Sequence, residues 1–221
     1  LVRWQHPEKG LLGPDVFIQL AEDIGEICTL GQQVLFTACS QLKQWRDEGL
    51  SLEYVSVNFS AKQFHQSDIN KEILQTLVDT GVQPSDLLVE ITESALINHQ
   101  QDALKKLEAI KQSGIRIAID DFGTGYSSLS YLRNLPIHVL KIDREFVSEA
   151  LENKTSLAII ETIIALANNL NLKVIAEGVE TEAQSQLLRH HKIDCLQGYL
   201  FSRPVSAVEF AKLMRVKVRL N

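Results

Sequence analysis

Acidic side chains fall at recurring places along this chain, and their types and spacing define the chemistry open to it. Asp120 and Asp121 are neighbours at the end of the apolar run "IRIAIDDF". Glu90 and Glu93 close "LLVEITES", Lys141 and Asp143 close "IHVLKIDREF", and Glu177 and Glu180 close "LKVIAEGVE". Asn58 and Gln197 hold equivalent places in "YVSVNFS" and "DCLQGYLFS". Any one carboxylate in such a place is ordinarily a solvated loop residue or a helix cap. Lys141 alone would be a snorkelling lysine, and Asn58 or Gln197 alone a turn or capping group. Repetition at the end of strand after strand weakens that bland account. Carboxylates held within a few Å repel and raise one another's pKa unless a cation sits among them. The donors are carboxylate and amide oxygens with no histidine or cysteine, a hard set that favours Mg²⁺ or Mn²⁺ over Zn²⁺. On a regular strand Asp120 and Asp121 would point to opposite sides. Where the pleat relaxes at a strand end, one could bridge two ions while the other binds one, and ions about 3.5–4 Å apart are the usual device for in-line attack on a phosphodiester.

The segment that follows, "FGTGYSSL", has Gly123 and Gly125 as hinges and reads as a flap over the ions, with a plain turn before the short helix "SSLSYLRNL" as the alternative. It lacks the lysine of a Walker loop and the third glycine of a dinucleotide loop.

The elements that must position these groups follow from periodicity. Val- and Ile-rich runs beginning near Tyr54, Leu87, Ile115, Ile137, Leu172 and Asp194 alternate with stretches of helical period, as in a parallel sheet of βα units. In a closed barrel of such units the carboxyl ends of all strands open on one face, where active sites are built. Ala103, Leu104, Leu107 and Ile110 make one apolar helix face that stops at Gly114, and Leu157, Ile160, Ile163, Ile164, Ala167 and Leu170 make another. Thr181 with Gln184 forms a capping box. Pro14 suits a first helical turn, and the amphipathic material up to Trp45 is expected to divide near Gly25 and Gly31 and to end at Gly49.

With 221 residues, 45% of them hydrophobic, the chain can build one large domain with a real core. A net charge of −6 gives no global reason to bind a DNA or RNA backbone. No apolar run approaches the roughly 18 residues of a membrane span, and "LVRWQHPEKG" has no signal-peptide pattern, so a cytoplasmic domain is expected. Cys28, Cys39 and Cys195 lack metal-ligand spacing and read as structural thiols; on one helix Cys28 and Cys39 would be separated by about 16 Å of rise, too far for a disulfide. The histidines, His6, His65, His99, His138, His190 and His191, read as packing or surface residues.

The segments "LVRWQHPEKGLLGPDVFIQLAE", "VNFSAKQF", "VEITES", "DDFGTGYSSLSYL", "LKIDREFV", "VIAEGVET" and "CLQGYLFSRP", in this order, resemble the EAL domain, the bacterial cyclic-di-GMP phosphodiesterase module. The resemblance runs from the first residue to about Leu213. It implies a modified (β/α)8 TIM-like barrel over 1–221 that hydrolyses one phosphodiester of cyclic-di-GMP to linear pGpG with two Mg²⁺ or Mn²⁺ ions. It further implies Asn58, Glu90, Asp120, Asp121 and Glu177 as metal ligands, Asp120 bridging. Lys141 would hold the attacking water and scissile phosphate, Glu177 would also act as base, Glu93 would anchor the flap, and Leu1, Arg3 and Gln197 would contact substrate. Leu1 matches the leucine of the Glu-Ala-Leu triplet, so the triplet's metal-binding glutamate would precede the sequence given, as would the N-terminal strand or strands. The tail of one such strand is expected at the start, ahead of the complete ones. A homodimer packed near the flap, and sensory or cyclase domains upstream in a parent protein that is itself membrane-anchored or not, are further expectations from the resemblance. A non-hydrolysing cyclic-di-GMP sensor, or a hydrolase of another diester, are the competing readings.

Overall fold

Near-continuous apolar runs such as "LLVEI" and "IRIAI" must be covered on both faces, which a parallel sheet wrapped by its own crossover helices achieves. The computed structural model describes residues 1–66, 68–97, 100–125 and 129–218. A hairpin of β1 (Trp4–His6) and β2 (Gly10–Leu12) leads into α1 (Pro14–Asp23) and α2 (Ile27–Asp47). Strands and helices then alternate: β3 (Val55–Phe59), α3 (Ala61–Phe64), α4 (Ile69–Thr80), β4 (Leu87–Thr92), α5 (Glu93–Ile97), α6 (Gln100–Gln112), β5 (Arg116–Phe122) and α7 (Leu129–Leu132). The second half runs β6 (Val139–Ile142), α8 (Arg144–Glu149), α9 (Lys154–Asn169), β7 (Lys173–Ala176), α10 (Glu182–His190), β8 (Cys195–Leu196) and α11 (Ala207–Val218).

The sheet has six parallel strands in the order β3-β4-β5-β6-β7-β8, so each βα unit adds its strand beside the previous one. This is a curled portion of a TIM-like barrel. Outward residues Val89, Ile91, Ile117, Ile119, Leu140, Ile142 and Val174 join the large core with helix residues such as Ile73, Leu107, Ile110, Ile160 and Ile163. Inward residues Leu88, Ala118, Val139 and Ile175 form a second, separate apolar layer with Tyr54 packed against it. The sheet curls far enough that Tyr54, ahead of β3, interacts electrostatically with the Cys195 thiol on β8. The helical layer is tied in the same sense: Trp45 on α2 packs on Phe210 of α11 at 4.7 Å, and Arg215 pairs with Glu48 at 2.8 Å.

Local signals explain the boundaries. Thr181 Oγ1 accepts from the Gln184 backbone N–H while Gln184 Oε1 accepts from that of Thr181, the expected capping box, and Ser60 with Gln63 makes a second one that starts α3. Gly114, at φ 84°, follows α6 where a left-handed residue is needed.

Two expectations need correction. The strand tail expected at the start is not found among the described residues; the first strands there, 4–6 and 10–12, pair antiparallel with each other in the hairpin. The turn chemistry of "PEKG" makes this favourable: Gly10 takes φ 72°, and His6 Nδ1 accepts from the Glu8 and Lys9 N–H groups. Gly25, at φ 81°, does separate α1 from α2, but α2 runs unbroken through Gly31. There glycine serves close packing instead, since an added Cβ would lie 1.6 Å from Gln63 Nε2.

Candidate active site at the carboxyl ends of the strands

Counting two residues up each strand from the inward apolar layer leads from Leu88 to Glu90, from Ala118 to Asp120, from Val139 to Lys141 and from Ile175 to Glu177. Period-2 alternation therefore puts all four on the inner face, directly above an apolar floor. Lys141 stands in the middle. Its Nζ lies 2.7 Å from Glu90 Oε2, 3.0 Å from Asp120 Oδ1 and 2.6 Å from Glu177 Oε1, with its side chain 3% exposed. Burial pulls the lysine's pKa down, but the three carboxylates outweigh that and hold it above its ordinary value.

Asp121 joins the group through a backbone irregularity. Ile119 stands opposite Leu140 and Phe122 opposite Ile142, so β5 carries one more residue than β6 over this step. Asp121 takes up the excess at φ 52°, in the left-handed region that aspartate tolerates better than most residues. The turn is held by Thr124, whose hydroxyl donates to the Asp121 carbonyl at 2.8 Å, and by Asp120 Oδ1, which accepts from the Asp121 N–H at 3.1 Å. As a result adjacent aspartates that would diverge on a regular strand converge. One oxygen from each of Asp120, Asp121 and Glu177 lies within 4.8 Å of the others.

Burial, then the Asp120 charge, then a hydrogen bond and charge from Asp143, then Glu177 push the Asp121 carboxyl up to about 7. Burial first, with Asp120 and Glu90 adding to it, raises Glu177 against the pull of Lys141. More negative charge is gathered than one ammonium offsets, and every donor is a hard oxygen. The residues present fit a divalent cation such as Mg²⁺ or Mn²⁺.

The other anticipated residues sit around this centre in different ways. Asn58 is the register partner of Glu90 on the neighbouring strand. Glu93 opens α5, is buried, and its Oε2 accepts from the Gly123 N–H at 3.1 Å, while a Cβ on Gly125 would fall 2.7 Å from its Oε1. It thus pins the start of the loop after Asp121; the rest of the anticipated flap, Tyr126–Ser128, lies outside the described residues. Leu1 is exposed. Gln197 is exposed just past β8, its backbone N–H bonded to Ala176 O at 2.9 Å and its carbonyl accepting from Val179. Arg3 is exposed and donates to the Val2 carbonyl. The hydrogen bonds of Arg3 and Gln197 run to backbone groups and not to the carboxylate cluster.

Sequence reading gave no role to two contributors. Asp143 bonds Asp121, and its position two residues after Lys141 was the available signal. Gly198 lets the chain past β8 close against the β7 loop, since a Cβ there would meet Val179 O at 2.1 Å. Beside Asp121 opens a cleft of about 600 Å³ lined by Thr124, Asp143, Arg144, Glu180 and Gln184 among others. The histidines that can be described do pack as anticipated: His65 Nε2 bonds Ala95 O and His138 Nδ1 accepts from the Ile117 N–H, whereas His99 lies outside the described residues.

A parallel β/α sheet with carboxylates and a buried lysine at the carboxyl ends of its strands defines a barrel-type site able to hold a divalent cation. The EAL domain family matches residues 1–204, and the chain belongs to that family. It is 44% identical over 207 residues to the bifunctional diguanylate cyclase/cyclic di-GMP phosphodiesterase MucR of Pseudomonas aeruginosa, covering 94% of this chain and 30% of MucR. It is 42% identical over 215 residues to the cyclic di-GMP phosphodiesterase NbdA of the same organism, covering 97% of this chain and 28% of NbdA. The chain therefore spans less than a third of the length of these relatives. The solved PaMucR phosphodiesterase in complex with c-di-GMP superimposes with a TM-score of 0.92 at 43% identity, covering 95% of this chain and 85% of that one.

Proposed function

We propose that this chain is a cyclic-di-GMP phosphodiesterase that opens one phosphodiester to give linear pGpG, using two Mg²⁺ or Mn²⁺ ions. The observation that carries the reading is the convergence of Asp120, Asp121 and Glu177 oxygens beside Lys141 in a chain of the EAL family. Such ions, when bound, activate water and neutralise charge developing at phosphorus. Asn58, Glu90, Asp120, Asp121 and Glu177 would hold them. Lys141 directs its ammonium at the attacking water and a phosphate oxygen, and Glu177 accepts the water's proton at a carboxylate oxygen. Glu93 steadies the loop that covers the reaction, while Leu1, Arg3 and Gln197 receive the substrate at the rim.

The same reading makes the chain a cytoplasmic module of a longer, multidomain signalling protein that pairs with a second copy near the loop after Asp121. The length of its relatives supports the first part, and one of them is named as a cyclase as well. No described helix is long and apolar enough to cross a membrane. The test is incubation with cyclic-di-GMP and Mn²⁺, followed by chromatography for pGpG. Release of pGpG is expected. Binding without cleavage would make the domain a receptor, and no binding at all would point to another diester.

A further inference from the structure

Lys141 Nζ lies within 3.0 Å of a carboxylate oxygen on each of Glu90, Asp120 and Glu177, hydrogen-bonded to the first, and is almost wholly out of water. Two of those three residues, Asp120 and Glu177, also supply oxygens to the cluster with the spacing of a cation site. A lysine that only had to face a substrate phosphate would need no such triple engagement. A divalent ion drawing on the same carboxylates must share their oxygens with these ion pairs or displace them, and must approach a fixed positive charge at close range.

We propose that Lys141 is a built-in competitor of the metal: its ammonium holds the carboxylates together when no ion is bound, and thereby lowers the site's affinity for divalent cations. The inference rests on the metal-site reading above and adds to it a role independent of substrate. Three carboxylates, Glu90 and Asp120 buried and Glu177 partly so, are strongly self-repelling with no cation among them, and removing one partner of such an ion network leaves the others uncompensated. The lysine removes that repulsion in the metal-free chain. The bound metal removes it in the loaded one, so the two cations are alternatives for part of the same work. Metal affinity is then set by their difference, and the site fills only where divalent cation is plentiful.

Lys141→Met keeps the length and the apolar stem while removing the charge. At pH 8 with chelator, its melting temperature should fall by at least about 5 °C relative to the parent chain. In saturating Mn²⁺ that gap should shrink by more than half. Calorimetric titration with Mn²⁺ alone should show binding at least about tenfold tighter than in the parent, since a like charge has left the site. If Lys141→Met folds only when Mn²⁺ is present, the proposal stands in its strongest form. Should it fold in neither buffer, the pair Lys141→Met/Glu90→Gln decides: restored folding in chelator supports charge balance, and continued failure overturns it in favour of a packing role. Equal stability in chelator, or Mn²⁺ affinity unchanged or weaker in Lys141→Met, also overturns it. A parent chain that binds no Mn²⁺ at millimolar concentration removes the metal-site reading itself, which separates that failure from this one.

Discussion

Replacing Asp121 with Asn should make the metal-free chain more stable while weakening its hold on metal. The carboxyl is pushed from 3.8 to about 7, so in the folded chain it resists ionisation. Because the folded pKa lies above the unfolded one, the folded state binds the extra proton. The associated stability is full below pH 3.8 and is lost as pH rises through about 7. Full conversion of that shift would be about 4 kcal/mol, and discounting it by half for partial solvation of the side chain leaves about 2 kcal/mol at pH 8. Asparagine tolerates the left-handed backbone that Asp121 adopts at φ 52°, so the bulge survives and only the charge goes. In chelator at pH 8 the Asn variant should melt about 4–8 °C higher than the parent. Its advantage should shrink steadily toward pH 5, where the parent's carboxyl is protonated. Mn²⁺ should reverse the order, since the parent gains a ligand the variant lacks, and half-maximal turnover should need more metal. The assay is a set of melting curves across pH with and without Mn²⁺. A variant no more stable than the parent at pH 8 in chelator, or one whose advantage is flat with pH, would refute the charge-repulsion account of this site.

Glu177→Ala and Lys141→Ala, measured in saturating Mn²⁺ with circular dichroism confirming the fold, should each reduce pGpG formation by at least about a hundredfold; turnover close to that of the parent in either would remove its assigned role. Gly198→Ala drives a methyl to 2.1 Å from Val179 O, backbone against backbone, and should cost about 3 kcal/mol through overpacking and a weakened Val179–Gln197 hydrogen bond. The corresponding loss of about 6–12 °C in melting temperature is checked by differential scanning fluorimetry, and a loss under about 2 °C counts against the close approach. His138 Nδ1 accepts from the Ile117 N–H, and burial, then Lys111 and Arg116, lower its pKa. That contribution is therefore present above pH 6.5 and lost as pH falls through the folded value, so His138→Asn should flatten the loss of stability on acidification. Parallel pH–stability curves for parent and variant would exclude the linkage.

The chemistry of this site was legible because it is written in a period-2 pattern inside long apolar runs. "LLVEIT" and "RIAIDDF" each carry carboxylates, Glu90 in one and Asp120 and Asp121 in the other, near the end of an otherwise apolar run, and Asp120 and Asp121, being adjacent, fall on opposite faces of a regular strand. What the alternation could not show was the direction of Asp121. That depends on a register shift against β6 and on a positive φ fixed by Thr124 and Asp120, contacts that exist only once the strands are paired. The short helices after β3, β4 and β6 were equally hidden, because α3, α5 and α8 have 4, 5 and 6 residues and cannot display a helical period. Gly31 misled for a related reason: its role lies in a contact with Gln63, far along the chain, and composition alone makes it look like a break. The hairpin at the start was missed because three-residue strands show no period, although the turn residues between them already favoured a local return.

The bulge explains how one strand supplies two carboxylates to the cluster while its neighbours supply one polar group each. With the apolar layer of Leu88, Ala118, Val139 and Ile175 as a fixed floor, each inward position one step higher carries a single polar group: Glu90, Asp120, Lys141, Glu177. A slip of one residue in any strand would put an outward residue such as Ile91 or Ile119 in its place, so the register that buries the core is the same one that assembles the charges. The bulge in β5 departs from that rule at one point only. It inserts Asp121 after the parity has placed Asp120, and so doubles the carboxylates at the place where Glu177 faces both. The left-handed residue and the crowded charge each cost stability, of the order of 1–3 kcal/mol for the backbone strain. A regular β5 would pair more evenly with β6, but its second aspartate would turn toward the helices and away from Glu177. The strain is therefore located where the proposed chemistry needs two adjacent carboxylates to share one side of a strand.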